Sequence, residues 1–266
     1  MSVSLLELPG YWLARYLAKA RPSYQRPATS RPEVFAAPLR KGDILLVEGS
    51  SRFSSAVKYL TQSTWSHAAL CIVDAPGVQS LTEGTPVLVE ADILAGVRTV
   101  PLSLYCNLHT RICRPVGLST EEIDSVVNHV MSRLGSKYDL KNVFDLARYL
   151  IQAPPVPSSW RRRLIALGSG DPTRAICSSL IAEAFQSINY PILPEVVIEK
   201  SADPACAESY REILHIRHHS LYAPRDFDLS PYFRVIKPTI EHGFDPHKLE
   251  WRSPDASHTQ PGNRPG

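Results

Sequence analysis

Three residues of the kind that carry acyl-transfer chemistry stand far apart in this chain: His67, Glu90 and Cys177. His67 heads the run Ala-Ala-Leu-Cys-Ile-Val, which reads as a buried strand, and it directly follows Trp65 and Ser66. An imidazole at the mouth of an apolar strand is either a satisfied structural residue or one half of a catalytic pair. Glu90 lies in a second apolar run, Val-Leu-Val-Glu-Ala. If the two runs pair antiparallel about a centre near Val78 and Gln79, Leu70 faces Val87 and His67 faces Glu90. Opposed residues share a face with Cβ atoms about 4.5–5.5 Å apart, within reach of an imidazole–carboxylate hydrogen bond. A slip of one residue would turn one of the two away. A carboxylate on an imidazole orients the ring and raises its basicity; what the pair then needs is a nucleophile or a metal.

Cys177 is the candidate nucleophile. Ile176, Leu180, Ile181, Ala184, Phe185 and Ile188 recur at helical spacing, and Cys177 stands close to the start of that helix, after Asp171-Pro172. Free N–H groups and the dipole at a helix start favour thiolate over thiol, and a neighbouring imidazolium adds to this. The same N–H groups can stabilise an oxyanion on the substrate. Taken singly, a cysteine on a helix is as a rule a small buried hydrophobe, and a histidine at a strand end a structural residue. The weight lies in the combination of orienter, base and nucleophile, each on a suitable element.

The elements that must position them can be read in outline. Strands are expected at 44–47, 68–73, 87–91, 111–114 and 233–236, the first introduced by a Gly42-Asp43 turn. "RFSSAVKYLTQS" places Phe53, Val57 and Leu60 on one helical face. "STEEIDSVVNHVMSRLG" is a helix with Ser119 or Thr120 as cap, Glu121 and Glu122 in its first turn and Gly135 at its end. "YDLKNVFDLARYLI" is another, stopped by "APPVPSS", and the Cys177 helix follows. The region 190–220 shows no clear period. Short strands and helices without βαβ spacing favour an α+β fold over a doubly wound sheet.

With these elements placed, "LRKGDILLVEGSSRFSSAVKYLTQSTWSHAALCIVD", "VLVEAD", "YDLKNVFDLARYL", "AICSSLIAEAFQS" and "PRDFDLSPYF" resemble the permuted NlpC-type papain-like cysteine hydrolases, the bacterial YiiX/YebB-like group. The resemblance runs from about Leu39 to Ile236. It rests on Gly-Asp before an apolar strand, Ser-His-Ala-Ala at the head of the next, Val-Glu-Ala closing a hairpin, and a helical cysteine afterwards. In unpermuted relatives the cysteine helix comes first; here the order is His, Glu, Cys. The resemblance implies a circularly permuted papain-like fold, with an antiparallel sheet packed against a cysteine-bearing helix. It implies Cys177 as nucleophile, His67 as general base and Glu90 as the orienting member, and it places Tyr138, in "SKYDLKN", near the site. Trp65 and Ser66 are expected to wall the opening and touch substrate. Relatives cleave amide, ester or thioester bonds through a thioester on the cysteine, so the expected substrate is a small-molecule, peptide or lipid acyl compound, with no cofactor and no metal. The competing expectations are a lipid-directed acyltransferase or thioesterase at a membrane surface, and a non-catalytic binding module on the same scaffold.

Composition bounds the rest. In 266 residues, 44% hydrophobic and 21% charged, the chain has the make-up of a soluble globular protein. No apolar run is long enough to span a bilayer. "MSVSLLELPGYWLARYLAKA" lacks a basic start and carries Glu7 and Pro9, so it does not read as a signal peptide, which weakens a wall-cutting role. Five cysteines without C-x-x-C spacing fit a reducing compartment, and a cytoplasmic location is expected. A net charge of +3 is too weak to imply nucleic acid. Arg15, Lys19, Arg21, Arg26 and Arg31 face only Glu7 within residues 1–31, so the basic excess is concentrated there. Leu5, Leu6, Leu8, Trp12, Leu13, Tyr16 and Leu17 approximate one helical face. That helix either packs on the main domain or makes peripheral contact with the inner membrane face through its basic and aromatic residues.

The expected organisation is therefore an amphipathic helix and Pro-rich linker at 1–36, a catalytic domain at 37–240 and a flexible tail at 241–266. "HIRHH", with His215, His218 and His219, invites a zinc reading with Cys206, but the spacing fits no common ligand pattern and a solvated loop is preferred. Arg161–Arg163 could meet an acidic headgroup, although basic runs are usually only solvated.

Overall fold

The computed structural model describes residues 16, 19, 35–73, 87–92, 94–136, 176–200, 210–215 and 218–249. Within them, six strands form one wholly antiparallel sheet in the order β4-β3-β2-β1-β5-β8. These are β1 (Ile44–Val47), β2 (His67–Cys71), β3 (Val87–Asp92), β4 (Gly96–Pro101), β5 (Thr110–Pro115) and β8 (Phe233–Ile236). Strands β6 (Glu195–Lys200) and β7 (Tyr210–His215) pair with each other in a separate ribbon. The helices are α1 (Arg52–Thr61), α2 (Thr120–Met131), α3 (Ile176–Ser187), α4 (Pro224–Leu229) and α5 (Pro238–Glu241).

Apolar side chains cover the sheet on both faces, which is why β1 reads as an unbroken run, Ile-Leu-Leu-Val, rather than an alternating one. Ile44, Leu46, Ala68, Leu70, Val87 and Val89 face one core, closed by Val126, Val127 and Val130 of α2 and Leu180, Ile181, Ala184 and Phe185 of α3. Leu45, Val47, Ala69, Cys71 and Leu88 face the other, closed by Phe35, Leu39, Leu102 and Tyr105. Helix α3 packs on β2 and β3 and against α2, so the cysteine-bearing helix lies on the sheet as the sequence implies.

The start of β1 is held by charge. Asp43 is buried and takes two bonds from Arg114, Nε to Oδ1 and Nη2 to Oδ2, both 2.7 Å, and a third from the Arg40 backbone N–H at 2.9 Å. Gly42 has φ +85°, a left-handed conformation that glycine adopts without penalty. Helix α2 opens with a complete capping box: Glu122 N–H donates to Ser119 Oγ, and Ser119 N–H donates to the Glu122 carboxylate.

Three features depart from expectation. Strand β4 begins with Gly and ends with Pro, residues that read as punctuation, yet Pro is tolerated here because β4 is an edge strand. The β6–β7 ribbon occupies the stretch where no period was visible. Helical turns at Pro238–Glu241 and Pro246–Lys248 carry the fold to residue 249, into the stretch expected to be flexible tail. The first helix as a whole, the helix beginning at Tyr138, Arg161–Arg163, Asp171-Pro172, Cys206 and the end of the tail lie outside the described residues. Of the N-terminal residues, Tyr16 is exposed and lies under the Arg52 guanidinium, 4.3 Å from ring centroid to Cζ.

Candidate active site

The β2–β3 register differs from the expected one by two residues. Leu70 pairs with Val89, not Val87, and Ala69 rather than His67 lies opposite Glu90. A shift by an even number preserves the face, so His67 and Glu90 are diagonal neighbours on one side of the sheet. Long side chains span a diagonal, and His67 Nε2 lies 2.7 Å from Glu90 Oε2. The register was not legible because both strands are apolar on both faces and the connection between them is long. Alternation and turn geometry therefore say nothing about it.

His67 is the first residue of β2, so its ring stands at the rim of the sheet. Glu90 and Tyr105 approach it from the face that Ala69 shares, while Cys177 belongs to the core under α3 on the other face. The imidazole is hydrogen-bonded to Glu90, and Cys177 lies close enough to raise its pKa. Glu90 and Tyr105 occupy Nε2, which leaves Nδ1 for the sulfur. Cys177 is the second residue of α3 and is itself buried, whereas His67 is about one-fifth exposed.

Glu90 is only 4% exposed, and both its oxygens are occupied. Arg98 brings Nε to Oε1 at 2.9 Å and Nη2 to the same oxygen at 2.8 Å. The Tyr105 hydroxyl donates to Oε2, the oxygen that also receives His67, and lies 3.3 Å from Nε2. Burial alone would push the Glu90 carboxyl up, but the bonds and charge from His67, then Tyr105 and Arg98, outweigh it and hold the group down at about 2. For His67, burial works against the charged ring. Its interactions with Cys177 and then with Glu90 overcome that and raise it to about 10. Burial, and then the Glu90 charge, push the Tyr105 phenol up, so it is a constant hydrogen-bond donor. The arrangement therefore brings an ionised carboxylate, a protonated imidazole and the Cys177 sulfur together, suited to nucleophilic chemistry at sulfur.

Arg98 and Tyr105 were not singled out from the sequence. Arg98 had a signal: Asp92 Oδ1 accepts from the N–H groups of Leu94 and Ala95, Gly96 takes a positive φ of 74°, and this tight turn sets Arg98 directly opposite Glu90. Trp65 and Ser66 are placed differently from the expected substrate wall. Both are buried; Trp65 Nε1–H donates to Asp228 at 2.9 Å, and Ser66 Oγ accepts from Gly49 N–H at 2.9 Å. The Trp65 ring stacks at 5.0 Å on His109, whose Nδ1 is 3.0 Å from Glu48. These contacts tie the ends of β1, β2 and β5 to α4. Tyr138 lies outside the described residues. Cys71 and Cys113 are buried in strands, and burial pushes the Cys113 thiol up to about 12. Among the described residues no group of three or more His, Cys, Asp or Glu side chains is placed to hold a metal ion.

A family model described as "Permuted papain-like amidase enzyme, YaeF/YiiX, C92 family" matches residues 38–149. The matched stretch contains His67, Glu90, Arg98 and Tyr105 and ends before Cys177. No curated protein matches the chain. Among solved structures, a metalloprotein YiiX from Escherichia coli O157:H7 is similar, with 16% identity, a TM-score of 0.42, and coverage of 74% of this chain and 96% of that one. The family match gives the chain an α+β, permuted papain-like fold and the enzyme class of a cysteine hydrolase.

Proposed function

We propose that the chain hydrolyses an amide, ester or thioester bond through a thioester acyl-enzyme, with Cys177 as nucleophile, His67 as general acid and base, and Glu90 as orienter. The observation that carries this is the His67 ring bonded to Glu90 through Nε2 and interacting with Cys177 as well. In the first half-reaction Cys177 Sγ attacks the carbonyl carbon. The C–S bond forms, the bond to the leaving group breaks, and His67 passes its Nδ1 proton to that group. In the second, water attacks the thioester carbonyl, His67 takes the water proton, and the C–S bond breaks to restore the thiolate–imidazolium pair. Because ionised Glu90 only accepts, Nε2 keeps its proton throughout and Nδ1 does the transfers.

The kinship with NlpC-type enzymes belongs to this proposal, as does the assignment of 37–240 as the catalytic domain. The acyl partner is a small molecule, a peptide or a lipid, and the basic residues of 1–31 offer contact with an anionic membrane surface. Profiling the protein and its Cys177→Ser variant against a panel of amide, thioester and phospholipid substrates tests the reading. Turnover of one class by the protein and none by Cys177→Ser is expected. Equal turnover by both would overturn it.

A further inference from the structure

Glu90 divides its two oxygens between two tasks. Oε1 receives only Arg98, through two nitrogens at 2.9 and 2.8 Å; Oε2 receives the Tyr105 hydroxyl together with His67 Nε2. Arg98 is 45% exposed and also lies 3.9 Å from Asp92, so it reaches in from the solvent side of β4. Tyr105 is 5% exposed and comes from the short turn Leu102–Tyr105 that follows β4. No other described residue bonds the carboxylate. The groups that face it are thus His67 from β2, Arg98 from β4, Tyr105 from the turn, and Cys177 from α3 beyond the imidazole.

We propose that Arg98 and Tyr105 are positioning residues that act on Cys177 through Glu90 and His67. Arg98 anchors Oε1 of the buried carboxylate through two nitrogens, and Tyr105 fixes the oxygen that aims the imidazole at the sulfur. This rests on the reading of Cys177, His67 and Glu90 given above and adds two residues to it. The physical reason is that a buried carboxylate freed at one oxygen turns to find another partner. That turn loosens its hold on Nε2. His67 then no longer supports an imidazolium in a buried place, and the thiolate loses its counter-charge. The hydroxyl of Tyr105 does the geometric part. Without it, Oε2 can move about the ring edge, and Nδ1 is no longer held toward Cys177.

The test follows the alkylation rate of Cys177 by iodoacetamide from pH 5 to pH 10, read by mass spectrometry at its own peptide. The protein is compared with Arg98→Met, Arg98→Lys and Tyr105→Phe. Arg98→Met loses a two-nitrogen, charge-assisted hold on Oε1 and should slow labelling at pH 5–6 by about tenfold. Tyr105→Phe, which loses one hydrogen bond, should slow it by about fivefold. Both should converge on the parent rate near pH 10, where any cysteine is thiolate. Arg98→Lys should recover most of the rate, because it returns the charge. Loosening of the fold would instead change labelling at every pH. If the parent labels fast at pH 6 and all three variants superimpose on it, the roles of Arg98 and Tyr105 fall and the hydrolase reading stands. If the parent itself labels no faster than unfolded chain at pH 6, the hydrolase reading falls first.

Discussion

Glu90 and His67 shift one another in opposite directions, and the two shifts define a pH window for their contribution to folding. His67 is raised from 6.5 to about 10, so its stabilisation is complete below about pH 6.5 and fades as pH climbs toward 10. Glu90 is lowered from 4.5 to about 2, so its stabilisation is complete above about pH 4.5 and fades as pH falls toward 2. Both act fully between these limits. The gap in urea midpoint between the protein and its His67→Ala variant is therefore expected to be widest at pH 4.5–6.5 and to narrow steadily toward pH 10. A gap that holds or widens up to pH 10 would contradict the assigned charges. At this scale the sequence was informative about residues whose type and element agree: a histidine at a strand mouth, a glutamate in the next strand, a cysteine at a helix start. Arg98 and Tyr105 escaped because the strand that carries one and precedes the other opens with Gly96 and closes with Pro101. Trp65 and Ser66 were legible as neighbours of His67, but their polar atoms turned out to be engaged inside the protein.

Elements come into line through a few buried polar ties as much as through apolar area. The Gly-Asp pair before β1 is one of these. Asp43 is 1% exposed and holds the Arg114 guanidinium, itself 11% exposed, between β1 and β5. Removing one partner of a buried pair strands the other charge, which typically costs about 3–5 kcal/mol. Asp43→Ala is accordingly expected to lose about that much stability in urea unfolding. A loss well under 1 kcal/mol would show the pair to be solvated in practice. Strand positions were legible because runs such as Ile-Leu-Leu-Val have no other place than a covered sheet. Register was not, since a strand buried on both faces lacks the alternation that would fix it. The two-residue shift between β2 and β3 is harmless to the site for one reason: it is even.

Across the whole molecule, the first thirty-one residues hold the basic excess, while His67, Glu90 and Cys177 come from β2, β3 and α3. Deleting 1–31 is thus expected to leave Cys177 labelling unchanged and to abolish binding to vesicles rich in anionic lipid. Undiminished vesicle binding would remove the membrane role from the proposal. The family match ends at residue 149, so the proposed role of Cys177 rests on its place in α3 and its interaction with His67. One measurement bears on that interaction most directly. A free cysteine has a pKa of about 8.5, so at pH 6 less than about 1% of it is thiolate and alkylation is slow. Iodoacetamide labelling of Cys177 at pH 6 is expected to run at least about tenfold faster in the folded protein than in unfolded chain, and to lose that excess in His67→Ala. Equal rates in the folded protein, the unfolded chain and His67→Ala would contradict the account.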